Sequence, residues 1–323
     1  MPDIQYIPIT NLGESVMLTL MEEEARMWLT DLGWDYSDIQ RVLLSFIREK
    51  MLPGYVAFTG EKQPVGYLYF IANRAKGSIG ALYTTPTTPT DLAQKTADGL
   101  LKLAIDCLQN SGGIRRIETQ IFPFHGQNYT RIFGIHGFRH YPRLYLVKDI
   151  ETDVIETDPA APVKIIPWDS ALIGPAAAMT AVCYLNHPDY EIIEDYHTPA
   201  NCENYLRGLM TGPGCGVFLQ DASFMCVNRH GIPCGHVICS RISDRGAQIP
   251  QIITHPEWQG RGLGAALMRR CLRQLKAMNF NFLSLVVTVK NTRAMEWYRR
   301  IGFRPCREFG AFIWDRPRVN ADL

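Results

Sequence analysis

The stretch Ile252-Ile253-Thr254-His255-Pro256-Glu257-Trp258-Gln259-Gly260-Arg261-Gly262-Leu263-Gly264-Ala265-Ala266-Leu267-Met268 decides how the chain is read. An apolar run ends at Pro256, glycines follow at alternate positions, and small and apolar residues then recur at helical spacing. A strand, a tight loop and a helix are predicted in that order. Glycines in such a loop let the backbone turn sharply and bring its N–H groups against a pyrophosphate, which also sits at the positive end of the helix dipole. A dinucleotide loop of a Rossmann sheet resembles this in outline. Its glycines, however, follow Gly-x-Gly-x-x-Gly and its place is on the first strand, whereas this loop comes late in the chain.

Outward from the loop, periodicity predicts a mixed sheet with helices packed over it. Residues 163–167 read as a strand, 171–184 and 201–210 as helices, and 223–227 and 235–242 as strands joined by a turn. Residues 248–254 read as a strand, 262–277 as a helix, 282–289 as a strand, 292–300 as a helix and 311–314 as the last strand.

Several short patterns occur twice in the same order. Gln5-Tyr6-Ile7-Pro8 returns as Lys164-Ile165-Ile166-Pro167, and Pro64-Val65-Gly66-Tyr67-Leu68 as Pro233-Cys234-Gly235-His236-Val237. Thr84-Thr85-Pro86 matches Thr254-His255-Pro256, and Ile135-His136-Gly137-Phe138 matches Arg300-Ile301-Gly302-Phe303. Four matches in register, offset by about 159 to 170 residues, point to a duplicated domain. Residues 151–162, acidic and proline-containing without periodicity, read as the linker between a domain at 1–150 and another at 163–323.

A net charge of +1 with 20% charged residues and no basic or acidic run argues against nucleic acid as a partner. No apolar stretch approaches the roughly 20 residues of a membrane span, and Met1-Pro2-Asp3-Ile4 lacks the features of a secretory signal, so no membrane partner and a cytoplasmic location are expected. Nine cysteines, eight of them after residue 180, form no Cys-x-x-Cys pair, so reduced thiols and no metal site are expected. Cys215, between Gly214 and Gly216, is a weak candidate nucleophile. Nothing in the sequence fixes an oligomeric state.

The segment from Gln259 to Gly264 closely resembles the acyl-CoA pyrophosphate loop of the GNAT N-acetyltransferase superfamily, Gln/Arg-x-x-Gly-x-Gly/Ala after a strand ending near Val-x-Pro. The family's second signature is matched by Leu285, Val287, Asn291, Ala294, Tyr298, Gly302 and Phe303. The resemblance is strong over residues 247–303 and, through the repeat, weaker over the whole chain. It implies an α/β (α+β) fold of two tandem GNAT-like domains, each a mixed, mostly antiparallel twisted sheet flanked by helices. It also implies transfer of an acetyl group from acetyl-CoA to a primary amine of a small molecule by direct attack in a ternary complex.

By the same resemblance, Gln259, Gly260, Arg261, Gly262, Leu263 and Gly264 cradle the pyrophosphate, and Ile252, Ile253 and Thr254 lie on a strand whose free N–H groups meet the acyl carbonyl. Asn291 bonds the pantetheine arm or caps the helix after it, and Tyr298 is the cofactor-contacting general acid for the leaving sulfur. Many members carry a glutamate base early on the strand. Here the positions are Gln248, Pro250 and Gln251, none of which takes a proton at neutral pH, and His255 and Glu257 are weaker candidates. The acceptor is expected beside residues 186–197, with Asp189, Tyr190, Glu191 and Glu194, and less directly Asp195 and Tyr196, as charges and walls for a cationic amine.

The first copy lacks the motif. Thr87-Thr88-Pro89-Thr90-Asp91 replaces the glycine loop, Phe133 stands for Tyr298 and Gly126 for Asn291, so a degenerate domain is expected there. Two other readings remain: an acyl-CoA or metabolite sensor without turnover, and an acetyltransferase for a protein or peptide amine.

Overall fold

The computed structural model describes residues 3–60, 62–123, 126–151, 163–212 and 214–317. In chain order its elements are β1 (Gln5–Pro8), α1 (Glu14–Leu32), α2 (Ser37–Arg48), β2 (Gly54–Phe58), β3 (Pro64–Asn73), β4 (Lys76–Thr84), α3 (Thr90–Asn110), β5 (Arg116–Ile121), α4 (Thr130–Ile135) and β6 (Arg139–Asp149). There follow β7 (Lys164–Pro167), α5 (Ile173–Tyr184), α6 (Pro199–Thr211), β8 (Val217–Phe218), β9 (Phe224–Val227), β10 (Pro233–Arg241), β11 (Gly246–Thr254), α7 (Leu263–Ala277), β12 (Phe282–Thr288), α8 (Thr292–Arg300) and β13 (Arg304–Asp315).

These residues form two compact units, each a mixed, mostly antiparallel sheet flanked by helices. The division is not a cut at residues 151–162. The second unit takes Leu32–Asp35 and Arg143–Arg307, and the first takes the residues before Leu32, Tyr36–Pro142 and those from Glu308 onward. From Arg143 onward β6 pairs with β12, Arg143 opposite Thr288 and Asp149 opposite Phe282. From Gly310 onward β13 pairs with β5, Gly310 opposite Ile121 and Asp315 opposite Arg116. The reading of 311–314 as the last strand of the second copy therefore puts it in the wrong unit. A strand of 12 residues is long enough to serve both units, and local periodicity does not reveal its pairing partner. Apart from Glu151, the expected linker lies outside the described residues.

In the second unit the strand order is β6-β12-β11-β10-β9-β7, with β8 on β10, and only β11 and β12 run parallel. Strand β10 is buried on both faces because helices cover both. Val237 and Cys239 join the core with Leu263, Leu267, Cys271, Leu275 and Tyr298 of α7 and α8. Ile238 joins the core of α5 and α6, with Trp168, Ala176, Ala177 and Leu206. Each fully buried leucine of α7 contributes about 1.5–3 kcal/mol to that packing. The helices start where the sequence caps them: the Thr198 hydroxyl accepts the Asn201 N–H before Pro199 at 3.2 Å, and Asn291 caps α8. In the first unit β1-β2-β3-β4-β5-β13 are neighbours in that order and only β4 and β5 are parallel.

Candidate functional site

Strands β11 and β12 run side by side from Gly246 opposite Phe282 to Ile249 opposite Leu285, and then part. Pro250 follows and has no N–H to continue the ladder. There β11 also carries an extra residue against β10, since Ile238 faces Gln251 while Ser240 faces Gln248. This bulge bends the strand away from its parallel neighbour. Beyond it β11 stays paired with β10 as far as Thr254 opposite Gly235. The His255 N–H bonds the Cys234 carbonyl at 3.0 Å, so by strand alternation the N–H groups of Gln251 and Ile253 also point to β10. Those of Ile252 and Thr254 point into the gap. Ile253, expected as a donor beside them, has its N–H turned into the sheet.

At the end of β11 the chain turns through Gly260 and Gly262, with φ of 75° and 80°, into the first turn of α7. Left-handed backbone is costly for residues with a Cβ. A Cβ placed on either glycine meets no atom within 4 Å, so the loop's inner surface is open. Gly262 provides no side-chain cap, and the first hydrogen bond back into the helix is from the Ala266 N–H to the Gly262 carbonyl. The N–H groups of Leu263, Gly264 and Ala265 thus have no intrahelical acceptor and face the loop with the positive end of the dipole. Gly264 is different: its Cβ would stand in ordinary contact with Thr254 Oγ1 at 3.6 Å. Gln259 holds the loop, donating from Nε2 to the Thr254 carbonyl at 3.3 Å and accepting from Arg293 at 3.1 Å. The Arg261 guanidinium lies 4.9 Å from the centre of the Trp258 ring. Backbone donors, open space and two arginines fit a diphosphate.

A buried polar cluster lies by the gap. Asp189 is 8% exposed and accepts from Arg143 at 3.2 Å and from the Thr288 hydroxyl. It is therefore tied to β6 and β12 and is not the solvent-facing counter-charge expected of it, because a buried carboxylate needs partners of its own. Its backbone N–H donates to His187 Nδ1 at 3.0 Å, and His187 Nε2 lies 2.8 Å from the side-chain nitrogen of Asn291. Asn291 Oδ1 accepts the Ala294 N–H at 3.2 Å, so this residue caps α8 while touching His187. Tyr184 sets its ring edge-on to His187 at 4.9 Å and accepts at its hydroxyl from Gln251 at 3.4 Å. Gln251 in turn meets His236 Nε2 at 2.7 Å. Burial pushes His236 down to about 4, so its ring is neutral near pH 7.

Tyr298 is 7% exposed, its ring packed beside Trp297 and Phe303. Burial first, then the neighbouring Tyr184 and the Asp189 carboxylate, raise its phenol above the usual range, so it holds its proton at neutral pH. Tyr190 packs on His197 with ring centres 4.2 Å apart, Glu191 is exposed and Glu194 half-buried. Tyr196 is buried and stacked on Tyr184, a place in the core rather than on an acceptor wall. His255 Nδ1 accepts the Glu257 N–H at 3.3 Å and caps a short turn, while the Glu257 side chain is 82% accessible. Burial raises the Cys215 thiol to about 11, which removes it as a nucleophile at neutral pH.

His187, Arg143 and His236 were not singled out from sequence, and Gln251 was noted only as a residue that cannot serve as a base. One of them left a signal: a histidine directly before a proline, as His187-Pro188, stands at a capping position. No helix among the described residues is long and apolar enough to cross a membrane.

Comparison with known proteins agrees with this geometry. Residues 182–303 match the model of the acetyltransferase (GNAT) family. An uncharacterized N-acetyltransferase of Methanocaldococcus jannaschii is 36% identical over 90 residues, 26% of this chain and 39% of that protein, so the match spans well under half of the relative's length. A GCN5-related N-acetyltransferase from Sphaerobacter thermophilus superposes with a TM-score of 0.65 at 15% identity, covering 99% of this chain and 98% of its own. A tandem GNAT protein from the clavulanic acid biosynthesis pathway superposes at 0.57 and 12% identity, covering 98% and 100%. At such identities the superpositions bear on the fold alone, and that fold extends over both units. Residues 182–303 of the second unit thus match the acetyltransferase (GNAT) family, and the glycine loop and the parted parallel strands lie within that stretch.

Proposed function

We propose that the second unit is an N-acetyltransferase that moves an acetyl group from acetyl-CoA to a primary amine of a small molecule, both held at once in a ternary complex. The observation that carries this reading is the open loop at Gly260 and Gly262, which leads into an uncapped helix beside a gap lined by the N–H groups of Ile252 and Thr254. Acetyl-CoA, when bound, supplies the acyl group as an activated thioester. The N–H groups from Gly260 to Gly264 and the charge of Arg261 hold the diphosphate, while the Gln259 N–H closes the turn onto the Pro256 carbonyl at 3.2 Å, and Asn291 meets the pantetheine arm. The N–H groups of Ile252 and Thr254 stabilise negative charge on the acyl oxygen as the amine attacks. Tyr298 gives its phenolic proton to the departing sulfur, and its raised pKa keeps that proton in place at neutral pH.

Glu191 and Glu194 supply negative charge on the acceptor side, with Tyr190 as a wall. Gln248 and Gln251 take no proton, so the amine enters neutral or loses its proton to solvent. The first unit acts as a degenerate copy without a cofactor loop.

Titration calorimetry with acetyl-CoA tests this reading, followed by thiol release with a panel of small primary amines and a lysine-containing peptide. One site per chain and amine-dependent thiol release are expected. Binding without release for any amine would favour a sensor, the reading that Gln248 in place of a carboxylate supports. No binding at millimolar acetyl-CoA would overturn both, and faster release with the peptide would replace the small-molecule acceptor.

A further inference from the structure

Beyond Pro250 strand β11 has parted from β12, and the ladder it keeps is the one to β10. A strand paired on one edge twists more freely than one paired on both. Gln251 sits in that stretch, directly before Ile252, whose N–H points into the gap. Successive side chains leave opposite faces of a strand. Ile252 packs on the core of α7 and α8, whereas Gln251, 2% exposed, reaches Tyr184 in the core of α5 and α6. There its amide is held at both ends. Oε1 lies 2.7 Å from His236 Nε2 on β10, and Nε2 lies 3.4 Å from the Tyr184 hydroxyl at the end of α5. Turning the amide over exchanges donor and acceptor at both contacts and breaks neither, since a neutral imidazole nitrogen and a phenol each serve in either role.

The two partners are fixed in turn. His236 is fully buried, its ring edge-on to Trp168 with centres 5.4 Å apart. The Tyr184 ring stacks on Tyr196 with centres 3.6 Å apart and stands edge-on to His187. Gln251 thus ties the parted stretch of β11 to α5, a brace from one face where β12 no longer supplies one from the edge. We infer that Gln251, held by His236 and Tyr184, positions the Ile252 N–H for the acyl oxygen. The inference rests on the proposal that this N–H stabilises negative charge on that oxygen as the amine attacks. It makes Gln251 a positioning residue that acts through the backbone following it. A donor aids the transition state only when it already points at the oxygen, and a displacement too small to disturb folding weakens it.

The test uses the full chain and acetyl-CoA labelled with carbon-13 at the carbonyl. Gln251→Met keeps an unbranched side chain of similar volume and removes the amide. His236→Phe keeps a buried ring and removes the partner on β10, while His236→Gln gives back an amide at about the reach of the lost ring nitrogen. Acetyl-CoA affinity is measured by calorimetry, thiol release at saturating substrates, and the carbonyl stretch of the bound thioester by isotope-edited infrared difference spectroscopy. In wild type the stretch should lie below its frequency in water. In Gln251→Met and in His236→Phe it should move back toward that frequency, with thiol release down about tenfold and affinity within about twofold, because the glycine loop is untouched. His236→Gln should recover most of the release and the wild-type frequency. The two variants cut the tie from its two sides, so the test stands on either. Slower release with the wild-type frequency kept would assign these contacts to packing or to the amine and overturn the inference, as would full release in both variants. A wild-type stretch no lower than in water would remove the Ile252 donor from the proposed function, and the inference with it. Absence of acetyl-CoA binding by wild type would remove the cofactor site itself.

Discussion

The two units share a backbone device and differ in what surrounds it. In the first, Tyr69 faces Ala81 while Phe70 faces Ile79, which leaves Gly80 as an extra residue on β4. In the second the extra residue lies at Ile249–Pro250 of β11, about 170 positions later. In both, the bulge accompanies an early end to the one parallel pairing, after Gly77 opposite Ile117 and after Ile249 opposite Leu285. In both, a strand hydroxyl reaches across to a carbonyl there, Thr119 to Ile79 at 2.9 Å and Ser284 to Ala247 at 3.1 Å. The frame is thus held by bulge and register. The surroundings part company at the strand's end. In the first unit buried Gln127 donates to Thr84 at 2.7 Å and is itself held by buried Tyr129, while Thr85 and Thr88 bond each other at 2.7 Å. In the second unit the same place leads into an open glycine loop. A conserved bulge costs little to keep, whereas an open cradle needs left-handed glycines that nothing in the first unit replaces.

The contrast breaks most sharply at Gly262. Valine there pays about 1–2 kcal/mol for left-handed backbone and places its branch in the open loop. Acetyl-CoA affinity by calorimetry should fall more than about 100-fold. Gly264→Ala, in helical backbone with ordinary contacts at 3.6 and 4.0 Å, should lose far less. Equal losses would mean that close approach at α7 matters more than loop conformation. Retained affinity in Gly262→Val would move the cofactor out of the loop, and with it the distinction between the units.

Tyr298→Phe makes the second unit resemble the first, where Phe133 is buried and stacked on Phe312 with ring centres 4.0 Å apart. Thiol release at saturating substrates should fall about 100-fold or more with acetyl-CoA affinity unchanged. Because the Tyr298 pKa is raised, the acid form persists through neutral pH, and the rate should show no alkaline fall from this group until well above pH 10. An unchanged rate in the variant would reduce Tyr298 to packing.

Asp189 marks a third difference, a buried ion pair that holds the segment after α5 in the second unit. The Arg143 and Asp189 side chains are 6% and 11% accessible, so removing one strands the other in a poor solvent. Asp189→Ala should lower unfolding free energy by about 3 kcal/mol in a urea titration. A loss under about 1 kcal/mol would show that water enters to solvate the arginine.

Most of the frame was legible because it is periodic: helices at 262–277 and 292–300 fall within a residue of α7 and α8, and the glycine loop stands where its spacing placed it. What escaped is non-local. Nothing around Ala311 says that β13 pairs with β5, since a strand's alternation names its faces and not its neighbour. The acids at 189–195 were expected as counter-charges for an amine, yet Asp189 is buried because Arg143, 46 positions earlier in the sequence, lies against it. His187 was invisible for the same reason. Its partner Asn291 lies 104 positions away and was read for its local cap, which it also makes.

The smallest expected effect concerns the polar centre of the first unit, where Glu24 accepts from Trp28 Nε1 at 3.1 Å and from the Tyr67 hydroxyl. By the repeat offset Tyr67 corresponds to His236, the residue that meets Gln251 in the second unit. If this cluster is a structural remnant, replacing the charge should leave acetyl transfer untouched. Burial raises the Glu24 pKa above its ordinary value, an effect only partly offset by its hydrogen bonds to Tyr67 and Trp28. A carboxyl whose folded pKa is raised penalises the folded state once ionised, so its cost appears as pH rises through the carboxylate range. Glu24→Gln keeps an oxygen for Trp28 and removes the charge. Urea midpoints should show the variant no less stable than wild type at pH 7, with any advantage vanishing below the carboxylate range where wild type is protonated. Thiol release should be unchanged within about twofold. A large loss of release with stability intact would mean that the first unit contributes chemistry of its own, and the contrast between an open and a closed copy would have to be drawn elsewhere.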